Sequence, residues 1–394
     1  MEIVCFSHLR WDFVFQRPQH LLTRFADHFR IFYIEEAVHH SEHDHYSEVV
    51  HNSIHIIKLH LKGHPHEDDV VKRQQSLLAT IFNKHKISEY ILWYYTPMAL
   101  PFTSHLEPVV TVFDCMDELS AFKFAPASLK QLEKELLNKS DVVFTGGHSL
   151  YEAKKQQHRN IHSFPSSIDK KHFNSARSIK HDPADQANIP HPRFGFYGVL
   201  DERFDIDLVR EVAEAKPEWQ FVLIGPVVKI DPESLPKNKN IHYLGGKKYA
   251  ELPSYLAGWD ISMISFAMNE STKFISPTKT PEYLAGGKPV ISTPIRDVVE
   301  SYGKNGLVHI VNNAREFVNV AQKELASKDK KQWLQQVDKY LANFSWDLTV
   351  NQMREHIYKA IAQKQVLAGQ KKKEKFTTTA AHYMLVKPQL PAAS

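Results

Sequence analysis

Short apolar runs alternate along this chain with stretches whose apolar residues recur at helical spacing. In the first half the runs are Ile3–Ser7, Ile31–Ile34, Ile54–Ile57, Tyr90–Tyr94, Val109–Phe113 and Val142–Phe144. Helical patterns fall between several of them, from Pro18 to about His28 and from Ser128 to Asn138. A second series follows, with strands at Phe194–Gly198, Phe221–Gly225, Ile241–Gly245, Ile261–Ile264 and Val290–Thr293. Helices are predicted near 205–215, 249–257, 281–286 and 314–327. Nearly continuous apolar strands separated by helices imply parallel sheets covered on both faces. Residues 174–190 are polar, with Lys180-His-Asp-Pro-Ala-Asp-Gln186, and read as a linker. The pattern divides the chain into a domain over 1–173, the linker, a domain over 191–340, a helix over 341–367 and an unstructured tail over 368–394. The tail assignment rests on Lys371-Lys-Lys-Glu-Lys375 and a Pro- and Ala-rich end.

Composition narrows the class. A chain of 394 residues is long for one core and suits two domains. The formal charge of +4 is small, and Lys and Arg are dispersed, which argues against nucleic acid as a partner. Two cysteines, Cys5 and Cys115, are too few for a disulfide framework. The N-terminus enters a strand at once, and no apolar run nears the roughly 20 residues of a membrane span. The expectation is a cytoplasmic protein, with contact at the inner face of a membrane left open by the basic tail. His39-His-Ser-Glu-His-Asp-His45 lies in a predicted loop, and its spacing lacks the helical pair of a dedicated metal site, so no metal is assigned.

The segment Ser276-Pro-Thr-Lys-Thr-Pro-Glu-Tyr-Leu-Ala-Gly-Gly-Lys-Pro-Val-Ile-Ser-Thr293 is the most informative. It reads as a loop, a helix with Thr280 as N-cap and Pro281 in the first turn, a glycine break and a buried strand. Free N–H groups and the positive dipole end of a helix, joined by Lys279, suit a diphosphate. The segment resembles the donor-binding segment of glycosyltransferases with the GT-B fold. Ile161-His-Ser-Phe-Pro-Ser-Ser-Ile-Asp169, followed by Phe173, resembles the end of their first domain. Over roughly residues 1 to 360 the chain is similar to group 1 transferases of bacterial polysaccharide and teichuronic acid synthesis.

This resemblance implies two Rossmann-like domains facing across a cleft, with the last helix crossing back to the first domain. It implies a nucleotide-sugar donor, UDP-linked by preference, a glycan or lipid-linked acceptor, and no cofactor or metal. Lys279 and the backbone at Ser276, Thr278 and Thr280 would meet the diphosphate, with Arg203 nearby. Glu282 would accept from ribose hydroxyls. Gly198, Gly225-Pro226, Gly245 and the helix opening at Tyr249 would lie along the nucleotide. Phe113-Asp-Cys-Met-Asp-Glu-Leu-Ser-Ala-Phe122 resembles the Asp-x-x-Asp segment of a subset of these enzymes. Asp117 is the first choice for general base and Asp114 the second. In Arg10-Trp-Asp-Phe-Val-Phe-Gln-Arg-Pro-Gln-His20, Trp11 and Asp12 suit a sugar face and its hydroxyls, and Gln16 and Arg17 suit an acceptor phosphate. Retaining relatives carry two glutamates with seven residues between them. Glu282 fits the second, but Phe274 stands at the first, which leans the expectation toward inversion. The alternatives are a nucleotide-sugar epimerase of the same fold and a sugar-binding protein without catalysis. A dinucleotide oxidoreductase is disfavoured, because no Gly-x-Gly-x-x-Gly follows a strand.

Overall fold

The computed structural model describes residues 1–327 and 329–385. Eight strands form the first sheet: β1 Glu2–Ser7, β2 Arg30–Ser41, β3 His45–His51, β4 Ile54–Lys62, β5 Tyr90–Tyr94, β6 Val110–Cys115, β7 Val142–Thr145 and β8 Ile161–Ser163. Their order is β3-β4-β2-β1-β5-β6-β7-β8, and only β3 runs antiparallel to its neighbour. The second sheet holds β9 Arg193–Tyr197, β10 Gln220–Ile224, β11 Ile241–Tyr243, β12 Ile261–Ile264, β13 Val290–Ser292 and β14 His309–Ile310. It is wholly parallel, in the order β11-β10-β9-β12-β13-β14. Each sheet reverses its direction of winding at its first strand. Crevices at such switch points open at the carboxyl ends of the strands, where parallel α/β sheets bind ligands. The cleft of this molecule lies there, beyond the ends of β1 and β9.

Both faces of the first sheet are covered. Val4, Phe6, Phe32, Leu92 and Phe113 pack to one side with Leu78 and Ile81 of the helix α2 (Val70–His85). Ile3, Cys5, Ile31, Trp93 and Phe144 pack to the other with Leu21, Leu22 and Phe25 of α1 (Arg17–Phe25). The same face receives Trp346, Val350, Met353 and Ile357 of the C-terminal helix Trp346–Leu385. That helix therefore returns from the second domain to complete the first domain's core. Trp346 stacks its ring on His20 at 4.6 Å. The backbone stays helical through Leu385, where the sequence suggested an unstructured tail from 368; Lys, Gln, Glu and Ala in this stretch are good helix formers. Residues 386–394 of that expected tail lie outside the described residues. No helix among the described residues is long and apolar enough to cross a membrane.

Two other expectations change. The segment 39–45 is no loop. β2 continues to Ser41, and after a short turn β3 doubles back along β4, extending the sheet into an arm. β3 is mostly exposed, so it lacks the apolar run that marks the buried strands. The polar segment 174–190 is not loose either. Gln186 is fully buried, accepts from Trp259 Nε1 at 2.9 Å and donates to the Tyr255 carbonyl at 3.1 Å. Asp182 pairs with buried Arg193 at 2.7 Å. Both cysteines are buried and unpaired.

Because Trp346 is buried entirely within the first domain's core, Trp346→Ala should lower the stability of that domain by about 3–5 kcal/mol. Urea unfolding followed by circular dichroism measures this. A loss below about 1 kcal/mol would mean that the returning helix is dispensable to the first domain.

Candidate functional site

A cavity of about 820 Å³ lies between the two sheets, walled by both domains. From the first domain come the loop after β1, with Trp11, Asp12, Gln16 and Arg17, and the loop after β6, with Met116 and Asp117. From the second come Gly198 and Arg203 after β9, Gly225 and Pro226 after β10, Phe266 after β12, and the run Ile275–Lys279. Val49, His51 and Ile56 bring the β3–β4 arm to the same wall.

The second-domain wall is built around Lys279. Its helix spans Lys279–Ala285, starting earlier than the sequence suggested, with Thr278 rather than Thr280 at the cap position. Thr280 N donates to the Pro277 carbonyl at 3.2 Å, so that turn is already helical in character. Thr280 is fully buried and lies outside the cavity lining, which corrects its placement against a ligand. Lys279 is half-buried, and its Nζ sits 5.3 Å from the ring centre of Phe196 and 5.1 Å from that of Phe266. No described carboxylate lies within ion-pair distance of it. Burial, and then the neighbouring Arg203 charge, lower the ammonium's pKa, while Glu282 opposes them. Glu282 is buried and accepts from Tyr197 Oη at 2.7 Å. Burial raises its pKa, with the tyrosine hydroxyl and Lys279 pulling back.

Two glycines make room for this arrangement. At Gly198, φ is +141°, and a Cβ would meet Lys279 Cε and Nζ at 3.0 Å. At Gly225, φ is +146°, and a Cβ would sit 1.8 Å from the Gly198 carbonyl oxygen. Only glycine holds both positions without moving the backbone. Gly225 N donates to the Gly245 carbonyl at 2.9 Å. Gly245 itself lies outside the cavity, and its neighbours Gly246 through Tyr249 take the wall position. Ser276 lines the cavity, but its carbonyl accepts from Ser166 Oγ of the first domain at 2.7 Å. Arg203 is tied to Asp201 through Nε and Nη2, which fixes its guanidinium at the cavity edge.

On the opposite wall the two candidate aspartates part company. Asp114 is fully buried and accepts from Arg17 Nε at 3.1 and 3.0 Å and from Nη2 at 2.9 Å. Arg17 Nη1 donates to the Phe164 carbonyl at 2.8 Å. The pair ties β6 to α1. It removes Asp114 from consideration as a base and Arg17 from the acceptor-phosphate role, because both charges are spent on each other. Asp117 lines the cavity; its carbonyl accepts from Cys115 Sγ at 3.6 Å, while its carboxylate accepts no hydrogen bond from a described residue. Burial pushes its carboxyl up to about 6, with Arg203 and Arg17 pulling down and Asp201 and Asp114 pushing up. A carboxyl so placed can take a proton near neutral pH.

The acceptor-side loop is shaped by Gln19, which the sequence did not single out. Its Nε2 donates to the carbonyls of Trp11 at 2.7 Å and Val14 at 3.0 Å, and its Oε1 accepts from Gln16 N at 3.0 Å. Trp11 packs edge-on against Tyr33 at 4.9 Å. Phe15 stacks on Tyr249 of the second domain at 4.4 Å, and Tyr249 stacks on His172 at 4.5 Å. Phe274 packs against the first domain's core, so where a carboxylate was sought a phenyl ring joins the domains. Asp297 of the second domain accepts from His148 N and Ser149 N of the first, both at 2.9 Å, and from Ser149 Oγ. Aromatic and polar contacts together thus join the two domains beside the cleft.

Comparison with known proteins adds the following. Residues 191–327 match the model of a family described as Glycosyl transferases group 1. A protein of Bacillus subtilis (strain 168), named as the teichuronic acid biosynthesis glycosyltransferase TuaH, is 22% identical over 54% of this chain. The match spans 61% of that relative's length. Among solved structures, sucrose-phosphate synthase from Thermosynechococcus elongatus superimposes with a TM-score of 0.67 at 15% identity, over 93% of this chain and 99% of that one. Anabaena HepE in complex with UDP gives 0.64 at 13% identity, over 91% and 100%. A UDP-forming trehalose-phosphate synthase from Burkholderia vietnamiensis gives 0.65 at 11% identity, over 91% and 98%. The fold is GT-B, and residues 191–327 are similar to the group 1 glycosyl transferases.

Replacing Arg17 by Met should leave Asp114 as an uncompensated buried charge and cost about 3–5 kcal/mol. Asp117→Asn should cost nothing, and its stability should lose less on raising the pH. A carboxyl whose folded pKa is raised binds its proton more tightly in the native state, so wild-type stability falls as pH climbs from the usual carboxyl range through about 6. Denaturant melts of wild type and both variants at acid and neutral pH check these signs.

Proposed function

We propose that the chain transfers a sugar from a nucleoside-diphosphate sugar to a saccharide or lipid-linked acceptor in the synthesis of a cell-surface polysaccharide. The observation that carries this reading is Lys279. It is an ammonium held between two aromatic rings at the cleft wall, without a carboxylate partner among the described residues. Such a charge is costly to desolvate and is compensated only by an anion that enters the cavity. A diphosphate fits, because negative charge grows on it as the sugar departs, and a fixed cation then stabilises the transition state more than the ground state. UDP is the preferred nucleotide, supported by the UDP complex of one GT-B neighbour and the UDP-forming activity named for another. The polysaccharide setting is supported by the teichuronic acid role in the name of the relative.

Asp117 faces Lys279's wall from the first domain and serves as general base for the acceptor hydroxyl. Its raised pKa makes it strong enough to accept a proton yet ionised at neutral pH. Trp11, Asp12 and Gln16 border the acceptor. No metal or cofactor enters this scheme. With Phe274 packed into the first domain's core at the position where retaining relatives carry a glutamate, direct displacement with inversion of the anomeric centre is the stereochemistry we favour. The reaction belongs on the cytoplasmic side of a membrane, where the chain would meet a lipid-linked acceptor by peripheral contact.

Lys279→Ala should weaken UDP binding by about 10–150-fold, the ~1.5–3 kcal/mol of a hydrogen bond to a charged group. Asp117→Asn should leave UDP binding intact, lower kcat, and abolish the acidic limb of the pH profile near 6. Calorimetry and UDP release with and without acceptor read both. An unchanged kcat in the aspartate variant, or a product of retained configuration by NMR, would remove Asp117 from the base role. Epimerised donor formed without acceptor would favour an epimerase instead.

A further inference from the structure

On the face of the arm away from the cleft, three side chains from three elements converge. Glu48 lies on β3, His55 on β4 and His85 in the last turn of α2. Glu48 Oε1 lies 2.6 Å from His55 Nδ1 and 3.2 Å from His85 Nε2. All three ligand atoms fall within 4.8 Å of one another. Their side chains are 13%, 16% and 12% exposed, so the cluster is sheltered but reachable from solvent. The His85 Nε2 atom is buried and lacks hydrogen-bond geometry to any partner. Two imidazole nitrogens thus face one carboxylate oxygen, and a hydrogen bond satisfies only one of them.

The surroundings hold the donors in place. The Phe32 ring stacks on His55 at 4.7 Å and meets His85 edge-on at 5.0 Å. Arg30 Nη2 donates to the His85 carbonyl at 2.9 Å. Lys84 Nζ binds the other carboxylate oxygen, Oε2, at 2.9 Å, leaving Oε1 as a single donor toward the imidazoles. We propose that Glu48, His55 and His85 form a binding site for a zinc ion, which clamps β3, β4 and α2 together with solvent at the fourth position. Two nitrogens and one oxygen suit zinc better than calcium or magnesium, which take oxygen ligands. Bonds of about 2.0–2.2 Å require the His55–Glu48 separation to widen to about 3.3 Å, a side-chain adjustment. Binding frees the proton shared between His55 and Glu48 to solvent.

The clamp has a mechanical sense. Val49 and His51, just beyond Glu48, and Ile56, beside His55, line the cleft. An ion at the three residues would fix the acceptor-side edge of the arm without touching substrate. This inference stands apart from the glycosyl-transfer reading and survives its failure.

Zinc chloride titrated into the chelator-treated full chain, free of any affinity tag, should show one saturable site by calorimetry. Cobalt should give the visible absorption of a four-coordinate ion with N and O ligands. His55→Ala/His85→Ala should lose this site, and Glu48→Gln should weaken it by more than about tenfold. The triple change His43→Ala/His45→Ala/His60→Ala, which removes a surface group of stacked imidazoles on the same arm, should leave it intact. Circular dichroism establishes that each variant folds. Absence of stoichiometric binding would overturn the proposal. So would a site that survives the double change but vanishes with the triple one.

Discussion

A cation without a counter-ion among the described residues governs the second domain's share of the cleft. Keeping Lys279 half-buried against Phe196 and Phe266 requires the wall behind it to be made of backbone alone. Gly198 supplies that wall, and Gly225 in turn must yield space to the Gly198 carbonyl. Glu282 is near enough to be felt electrostatically, yet Tyr197 holds its carboxyl. The amine is thereby tuned down in basicity while its valence for an incoming anion stays unspent. An anion entering the cavity would restore the basicity that burial removed, so anion and proton would favour each other at this residue.

Across the cleft the same logic works by contrast. Asp114 and Asp117 sit three positions apart on one strand end, yet one guanidinium separates their fates. Arg17 saturates Asp114 and fastens α1 to β6. Asp117 is left with solvent, the cavity and the more distant Arg203. A buried pair of this kind contributes little net stability over an apolar one, but breaking it is expensive. Its use here is to fix the strand end from which the unpaired carboxyl projects.

Much of this was readable in the chain. Buried strands such as Tyr90–Tyr94 and Ile261–Ile264 announce themselves because both faces are covered and every residue is apolar. β3 was hidden because its residues face solvent, and β8 and β14 because two or three residues carry no period. Lys279, Glu282 and Asp117 emerged from local pattern, and all three line the cleft. What failed was the partner of each charge. Arg17 looked available until Asp114, 97 residues away in sequence, was found to claim it. Gln19 and Asp297 were missed for the same reason, since their worth lies in carbonyls and amides that no sequence period marks.

Asp297 carries a consequence for how the two lobes meet. It reaches from one lobe to cap the first turn of the helix His148–Lys154 on the other, 149 residues away. Every group in that contact is hydrophilic, so parting the lobes trades protein partners for water at small net loss. The Phe15–Tyr249 stack and the packed Phe274 in the same junction are apolar and resist parting. The carboxylate and amides at Asp297 add orientation, because their bonds are directional. The junction therefore draws its adhesion from rings and its register from Asp297.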